Sequence, residues 1–429
     1  MKCIKEAAAK TYGRDTKTAK TVAEIINNVI ANGDAEIYTL SKKFDGLDLE
    51  YIRVPKETVK AAYDQVDQAT IEAMKAAADQ IRFYAEKQLA CMKELDTETP
   101  VPGVRLGHRL VPVDSVGCYV PGGRYPLPST ALMLAIPAKV AGVKRIAACS
   151  PASKVSGTIH PAVLAAMDIA GVDEIYCVGG AQAIAAFTYG TESIRKVDMI
   201  CGPGNRFVTE AKRQVIGEVG IDSLAGPSEV LIVADESANP DFTAIDILAQ
   251  SEHDPNARAT LVTTSPDLAE KTLKRVTEIA AELPTGELAL KSWEDNGMLY
   301  LADSMDEAID LANEMAPEHL EVQVKPEIEQ EVSDRLLHYG SLFVGHYTPV
   351  TFGDYCSGTN HTLPTMRTAR YSNGVWVGTF IKTSFVQHIT EEGCRNLAST
   401  AVHMAGTEGL MAHRKSITIR VEAMDQKKE

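Results

Sequence analysis

The 429-residue sequence contains no uninterrupted apolar run of about 18 or more residues, the length that a membrane-spanning helix requires. We therefore expect no transmembrane helix. The first residues, MKCIKEAAAKTYGRD, lack the apolar stretch of a secretory signal. The eight cysteines include no Cys-x-x-Cys pair, which argues against a disulfide framework and against a thiolate zinc site. These absences predict a cytoplasmic protein with reduced thiols.

Basic residues are fewer than acidic residues. The 43 Lys and Arg residues against 58 Asp and Glu residues give a net charge of −15. This acidic excess argues against nucleic acid or an anionic membrane surface as a partner. The hydrophobic share of 45% and the charged share of 24% are typical of globular proteins, and the length predicts two or more domains.

The hydrophobic pattern predicts an α/β fold. Apolar residues recur every three or four positions from about residue 20 to residue 95, which indicates helices. Two blocks of short apolar strands alternating with helices follow, and this alternation is typical of parallel sheets. The predicted strands are 145–150, 174–179, 197–202, 229–235, 259–265, 298–303 and 341–345, and two of the helices begin near His160 and Gly180. The C-terminal part is mostly helical, but its last segment, SITIRVEA, has the alternation of a strand.

Three glycine-rich turns stand near strand-to-helix junctions of the first block. They are YVPGGRYPLPS (119–129), VGGAQAIAAF (178–187) and CGPGNRFVTEAK (201–212). Backbone N–H groups at such turns can contact a phosphate or an anionic substrate. None of the turns matches the GxGxxG fingerprint or the P-loop, so each by itself is more often a structural turn than a ligand site. Three turns in one α/β block favour a ligand crevice at the carboxyl ends of the strands.

Side chains that could bind a metal ion occur as pairs in three distant segments. The pairs are Gln250 with His253, Asp354 with His361, and Glu408 with His413. Zinc accepts imidazole nitrogen and carboxylate oxygen. Spacing alone cannot join segments so far apart, and a single histidine is more often an ordinary surface or turn residue.

The segment EMAPEHLEV (314–322) ends a helical pattern at a proline and places Glu318 and His319 before an alternating apolar segment. His319 could act as a general base near neutral pH, whereas Glu318 would need burial to raise its pKa. The alternative interpretation is a helix-ending turn that carries an ordinary acid and an ordinary imidazole.

Taken together and in chain order, these segments resemble one known family. The matching segments are GCYVPGG, VGGAQAIAA, GPGN, AGPSEVLIVAD, LAQSEHD, APEHLEV, GDYCSGTNHTLPT and EGLMAHRKSITIRV. They resemble the histidinol dehydrogenase family over essentially the whole chain. The resemblance implies oxidation of L-histidinol through the aldehyde to L-histidine, with two NAD reduced and one zinc ion per subunit.

The resemblance also implies a role for each candidate residue. The zinc ligands would be Gln250, His253, Asp354 and His413. The NAD contacts would be Tyr119, Gln182 and Asn205. The substrate contacts would be Ser228, His361 and Glu408, together with the four zinc ligands and His319. Glu318 and His319 would form the catalytic pair.

The implied architecture is two Rossmann-like modules with parallel sheets and helical terminal segments, in a domain-swapped homodimer with shared active sites. The predicted divisions are a helical arm (1–20), a discontinuous first α/β domain (21–118 and 229–375), a second, NAD-contacting domain (119–228) and a C-terminal dimerisation segment (376–429). Glu408 and His413 would complete the site of the neighbouring subunit.

Two segments depart from the family pattern. PGGRYPLPS carries Arg124 and Tyr125 where small or neutral residues are usual, and ARYSNGVWVGTFIKT (369–383) differs from the usual serine-rich segment. Both are similar to the paralogous sulfopropanediol dehydrogenases, which oxidise 2,3-dihydroxypropane-1-sulfonate to sulfolactate. Arg124 could bind a sulfonate, but it could equally bind an NAD phosphate or face solvent.

Other segments favour L-histidinol as the substrate. GPSEV, PEHLEV and EGLMAH retain the histidinol pattern at the substrate contacts. A catalytically silent scaffold or binding protein is a third interpretation. It is disfavoured because every expected catalytic and zinc position carries the expected residue type.

Overall fold

The computed structural model describes residues 1–8, 15–122, 125–153 and 156–427. The strands are β1 (Lys2–Lys5), β2 (Leu95–Glu98), β3 (Val104–Pro112), β4 (Ser115–Tyr119), β5 (Arg145–Ser150), β6 (Glu174–Cys177), β7 (Met199–Cys201), β8 (Gly220–Ile221), β9 (Glu229–Ala234), β10 (Arg258–Thr263), β11 (Met298–Leu301), β12 (His319–Gln323), β13 (Ser341–Val344) and β14 (Ile381–Ile389).

The helices follow in the same order. They are α1 (Thr16–Asn32), α2 (Asp34–Phe44), α3 (Lys56–Tyr63), α4 (Gln68–Cys91), α5 (Pro128–Ala141), α6 (Pro161–Ile169), α7 (Gly180–Tyr189), α8 (Arg206–Val215), α9 (Pro240–Ser251), α10 (Pro266–Ala280), α11 (Gly286–Asn296), α12 (Met305–Met315), α13 (Pro326–Arg335), α14 (Val350–Tyr355), α15 (Glu391–Thr407) and α16 (Met411–Gln426). Short 3₁₀ helices cover Thr368–Arg370 and Val377–Phe380. None of the helices that the structure describes combines the length and the apolar character needed to cross a bilayer.

A five-stranded parallel sheet has the strand order β6-β5-β4-β7-β8. The chain starts at the central strand β4, builds β5 and β6 on one side, and then adds β7 and β8 on the other. Its topological switch point therefore lies between β4 and β7, where ligands bind in doubly wound sheets. Helices α3 to α6 pack on one face, and α1, α2, α7 and α8 pack on the other.

A six-stranded sheet repeats this plan with the order β1-β11-β10-β9-β12-β13. Strands β9 to β13 are parallel, whereas β1 joins the edge of β11 in the antiparallel direction. The switch point lies between β9 and β12. Helices α9, α10 and α11 cover one face, and α12 and α13 cover the other.

The third sheet carries the C-terminal part of the chain. Its order is β14-β3-β2, and β14 pairs with β3 along nine residues. The chain continues into α15 and α16, which pack against each other. This segment exposes several apolar side chains, namely Phe385, Val386, Ile389, Met404, Leu410, Met411 and Ile419.

The structure confirms the α/β class, the parallel sheets and the strand and helix positions predicted in both blocks. The C-terminal prediction was wrong, because SITIRVEA lies inside α16. Packing against α15 outweighs the strand preference of its β-branched residues.

The N-terminal region also differs from the predicted division of the chain. Residues 2–5 form the edge strand β1 rather than part of a helical arm. Helices α1 to α4 pack on the five-stranded sheet rather than with the block that follows residue 229. The reason is burial: the apolar stripe of α1, which includes Val22, Ile26 and Val29, is covered by α7 and α8.

Candidate functional site

The Glu318–His319 pair lies at the amino end of β12, next to β9 at the switch point of the six-stranded sheet. Helix α12 stops before the pair because Ala316 adopts a left-handed conformation (φ 47°) and Pro317 follows it. Both side chains of the pair are buried, each with 5% exposure. The pair is therefore not an exposed helix-ending turn.

The backbone of Glu229 holds both members of the pair. Its N–H donates a hydrogen bond to Oε2 of Glu318 at 2.9 Å, and its carbonyl oxygen lies 3.2 Å from Nδ1 of His319. Because a carbonyl oxygen can only accept, Nδ1 of His319 carries the proton and Nε2 carries the lone pair. Nε2 is buried and has no hydrogen-bond partner among the described residues. This nitrogen is thus available to accept a proton.

Burial sets the protonation of the pair. It lowers the pKa of His319 to about 3, so the imidazole is neutral at neutral pH. Burial raises the pKa of Glu318 well above its usual value, and the nearby charges of Glu229 and Asp354 raise it further. A hydrogen bond from the Ser228 side chain acts in the opposite direction. Ser228, predicted to contact the substrate, therefore adjoins the Glu318–His319 pair.

Three of the four predicted zinc ligands lie on elements around His319. Gln250 is buried on α9, and neither atom of its amide has a hydrogen-bond partner among the described residues. His253 follows the end of this helix and is solvent-exposed, while desolvation by the surrounding protein lowers its pKa. Asp354 lies on α14 with Oδ1 3.9 Å from Nε2 of His319, and burial raises its pKa to about 7. His361 is close enough to His319 for its charge to lower the pKa of His319, as does that of His253.

These donors fit a metal ion. Amide oxygen, imidazole nitrogen and carboxylate oxygen are all ligands that divalent cations accept. A buried amide that makes no hydrogen bond is costly, and a cation at Oε1 of Gln250 would supply a partner. Asp354 would be ionised beside a cation in spite of its burial.

The single chain does not bring the C-terminal candidates to this place. Glu408 and His413 are exposed, and no hydrogen bond or ion pair of the described residues joins either side chain to the Glu318–His319 pair. Across the described ranges, no group of three His, Cys, Asp or Glu side chains is arranged to hold a metal. His413 therefore stands apart from Gln250, His253 and Asp354 within one copy of the chain.

The three predicted NAD contacts lie at the carboxyl edge of the five-stranded sheet. Tyr119 ends β4, and its hydroxyl accepts a hydrogen bond from the backbone N–H of Gly180 at 3.1 Å. Gln182 is buried in the first turn of α7, while Asn205 caps α8. Gly202 (φ 122°) packs so closely on the end of β4 that a Cβ atom there would lie 2.2 Å from the carbonyl oxygen of Tyr119. The glycine-rich turns thus converge on the switch point of this sheet.

The loop that carries His361 connects the two parallel sheets. Nε2 of His361 lies 3.3 Å from Oγ of Ser129, and Asn360 donates its side-chain N–H to the carbonyl oxygen of Met133. Both partners belong to α5, so the site lies between the two sheets. Arg124 falls outside the described residues, and Tyr125 is exposed.

Sequence reasoning missed Glu229 and Ser129. The side chain of Glu229 is partly buried, desolvation raises its pKa to about 7, and it accepts a hydrogen bond from the N–H of Met366 at 2.9 Å. The available signal was an acid at the first position of an otherwise apolar strand. Ser129 carried no signal beyond its place in a glycine-rich turn.

Two doubly wound sheets, with glycine-rich turns at the carboxyl edge of one and the buried Glu318–His319 pair at the amino end of β12 in the other, define an α/β protein with a candidate enzyme site. The histidinol dehydrogenase family model matches residues 9–421. A histidinol dehydrogenase from Methanocaldococcus jannaschii is 46% identical over 94% of this chain and 92% of its own length. A histidinol dehydrogenase homolog from Shouchella clausii is 42% identical over 98% of both chains. The crystal structure of histidinol dehydrogenase from Elizabethkingia anophelis superposes with a TM-score of 0.91 at 36% identity, covering 98% of this chain and 95% of that one.

The chain belongs to the histidinol dehydrogenase family, and it is an NAD-dependent dehydrogenase.

Proposed function

We propose that this protein oxidises L-histidinol to L-histidine through the aldehyde, using two NAD and one zinc ion per subunit. The observation that carries the proposal is the state of His319. Its Nδ1 is fixed by the carbonyl oxygen of Glu229, while its buried Nε2 has no partner among the described residues and faces Asp354. A neutral imidazole in this tautomer can take the proton of an alcohol.

Gln250, His253 and Asp354 would hold the zinc ion, and His413 from a second copy of the chain would complete the set. Zinc, when bound, would coordinate and orient the heteroatoms of the substrate. Ser228, His361 and Glu408 would contact the substrate as well. Of these, Ser228 and His361 lie beside the catalytic pair, and Glu408 would come from the second copy.

The reaction needs two hydride transfers and one addition of water. In the first step, His319 accepts the hydroxyl proton while the carbinol carbon gives a hydride to NAD, which leaves the aldehyde. Glu318 would take a proton from the water that adds to the aldehyde, a role that requires its ionised form; because burial raises its pKa, that ionised form is a strong base. The hydrated aldehyde then loses a proton to His319 and a hydride to a second NAD, which gives the carboxylate. One alcohol and one water thus yield two NADH and three protons.

The NAD site would be the crevice between β4 and β7. Tyr119, Gln182 and Asn205 converge there, and the ends of these strands present the backbone N–H groups of glycine-rich turns.

We further propose a homodimer in which β14, α15 and α16 reach the second subunit. The exposed apolar side chains of this segment, with Phe385 at 84% exposure, would be covered by that subunit. Glu408 and His413 would then enter its site. We also propose a cytoplasmic location, where the eight cysteines, all free thiols in the structure, would remain reduced.

The second candidate substrate is 2,3-dihydroxypropane-1-sulfonate, which the departures at Arg124 and in 369–383 favour. Within that segment, Arg370 is exposed and donates one hydrogen bond to the carbonyl oxygen of Asn313, which leaves other guanidinium N–H groups for an anion.

The test is a side-by-side assay of NADH formation with L-histidinol and with 2,3-dihydroxypropane-1-sulfonate, combined with metal analysis of the dialysed protein. We expect two NADH for each L-histidinol and one zinc per subunit. NADH from the sulfonate alone would transfer the assignment to the second candidate. Absence of zinc together with absence of NADH from any alcohol would favour a silent scaffold.

A further inference from the structure

A buried polar network lies behind the candidate metal site. Glu321 and Gln323 follow His319 at alternate positions of β12, so the three side chains point to the same face of the sheet. Glu321 has 1% exposure and Gln323 has 3%. A buried acid in a sheet destabilises the fold unless its hydrogen bonds are satisfied.

The network joins β12 to α9. The side-chain amide of Gln323 donates to Oε2 of Glu321 at 2.9 Å and to Oδ2 of Asp246 at 3.0 Å. Its Oε1 accepts from the hydroxyl of Thr243 at 2.8 Å. The amide nitrogen of Gln323 thus holds the carboxyl groups of Asp246 and Glu321 next to each other. Asp246 precedes Gln250 by four residues, so both lie on one face of the helix.

The network also joins β12 to α14. Oε1 of Glu321 accepts a hydrogen bond from the N–H of Val350, the first residue of α14, at 3.2 Å. Asp354 follows Val350 by one helical turn. Glu321 lies on β12 with His319, and it contacts α14, which carries Asp354, through Val350. It reaches α9, which carries Gln250, through Gln323 and Asp246.

We propose that Glu321 and Asp246 are positioning residues, which hold β12, α9 and α14 so that Gln250, His253 and Asp354 can surround one metal ion. This inference rests on the zinc site of the proposed function. Two buried carboxyl groups held side by side favour sharing one proton, because two adjacent negative charges repel each other. A glutamine at position 321 keeps an oxygen for the N–H of Val350 and an N–H that can point to Asp246, and it loses only the acceptor for Gln323.

The experiment compares Glu321→Leu with Glu321→Gln in the full-length, zinc-loaded protein. The zinc dissociation constant is measured by competition with a chromophoric chelator, and NAD binding and thermal unfolding are measured on the same samples. Carboxylates that support metal ligands typically contribute about 10- to 100-fold to metal affinity. We expect Glu321→Leu to lose zinc affinity by this factor with NAD affinity unchanged, and Glu321→Gln to remain close to wild type.

Asp235→Ala is the matched control. Asp235 is a buried acid just after the carboxyl end of β9, far from the amino end where Glu318 and His319 lie. It accepts hydrogen bonds from the backbone N–H groups of Ser237 and Lys325. Its loss should lower the unfolding temperature without weakening zinc binding. If Glu321→Leu fails to fold, Asp246→Ala at the partly exposed end of the network replaces it, with the same expected loss of zinc affinity.

Three outcomes would overturn the inference. The first is a folded Glu321→Leu or Asp246→Ala variant that binds zinc as wild type does. The second is a Glu321→Gln variant as weak as Glu321→Leu, because the hydrogen bonds would then not be the cause. The third is a wild-type protein without zinc, and only this result would also refute the zinc site of the proposed function.

Discussion

Nδ1 of His319 lies 3.2 Å from the carbonyl oxygen of Glu229, a residue 90 positions earlier in the chain. This contact fixes the tautomer of a neutral imidazole and leaves Nε2 as the basic nitrogen. The N–H of Glu229 binds Glu318, so a single peptide backbone orients both members of the proposed catalytic pair.

Replacing His319 with asparagine should remove the proton acceptor while an amide N–H still reaches the carbonyl oxygen of Glu229. We expect turnover to fall by at least about 10²- to 10⁴-fold, the usual contribution of general base catalysis, with zinc content and NAD affinity retained. His338→Asn, at a histidine outside the site, should leave turnover unchanged. Steady-state kinetics check both variants, and near wild-type turnover of His319→Asn would refute the assignment.

Glu318→Gln should separate the two oxidations. The amide oxygen can still accept the N–H of Glu229, but it cannot take a proton from water. We expect oxidation of the aldehyde to slow by roughly 100-fold or more and oxidation of the alcohol to slow less. Single-turnover measurements with each substrate decide this. Equal slowing of both steps would argue against a water-activating role.

Mixing two inactive variants should restore activity if the sites are shared between subunits. A heterodimer of His413→Ala and His319→Ala chains would have one intact site, because His319 of one chain and His413 of the other meet there. The measurement is NADH formation after the chains are unfolded together and refolded. Absence of recovery in confirmed heterodimers would count against the shared site.

Arg367→Gly should stabilise the protein. Met366 and Arg367 are consecutive non-glycine residues in the left-handed region, with φ values of 52° and 66°, and the N–H of Met366 bonds the Glu229 carboxylate. Left-handed backbone costs a residue with a Cβ atom roughly 1–2 kcal/mol, and the entropy of glycine in the unfolded chain offsets part of this.

We expect Arg367→Gly to be more stable than Arg367→Ala by about 1 kcal/mol in chemical unfolding. The alanine variant controls for loss of the side chain, since it keeps the Cβ atom. Equal stabilities would show that this turn is not strained.

Stability should depend on pH through Glu229. Burial raises its pKa to about 7, whereas in the unfolded chain it ionises at about pH 4.3. Between these values the folded state binds more protons, so the free energy of unfolding falls as pH rises.

Glu229→Gln removes this contribution, and it should reduce the loss of stability between about pH 5 and pH 7 by roughly 2 kcal/mol. Chemical unfolding at a series of pH values measures it, and Glu282→Gln, at an exposed glutamate, should retain the wild-type slope. An unchanged slope in Glu229→Gln would contradict the raised pKa.

Much of the fold could be predicted because its signals are local. The period of the apolar residues located β5, β9 and β10, and glycine or proline at the junctions located the starts of α6 and α7. The Glu318–His319 pair could be singled out because two proton-transfer groups adjoin a helix-ending proline. Local patterns failed for SITIRVEA, where packing on α15 decided the helix.

The sequence by itself determined which segments are helices and strands, and it supplied the chemical types of the site residues. Only the tertiary structure decided which of them meet. The chain crosses back after β11 to insert β12 beside β9, and this return sets Glu229 against Glu318 and His319. Local periodicity shows which face of a segment is buried, but it does not show which strand or helix packs beside that segment. The order of the strands depends on burying apolar faces that lie far apart in the chain.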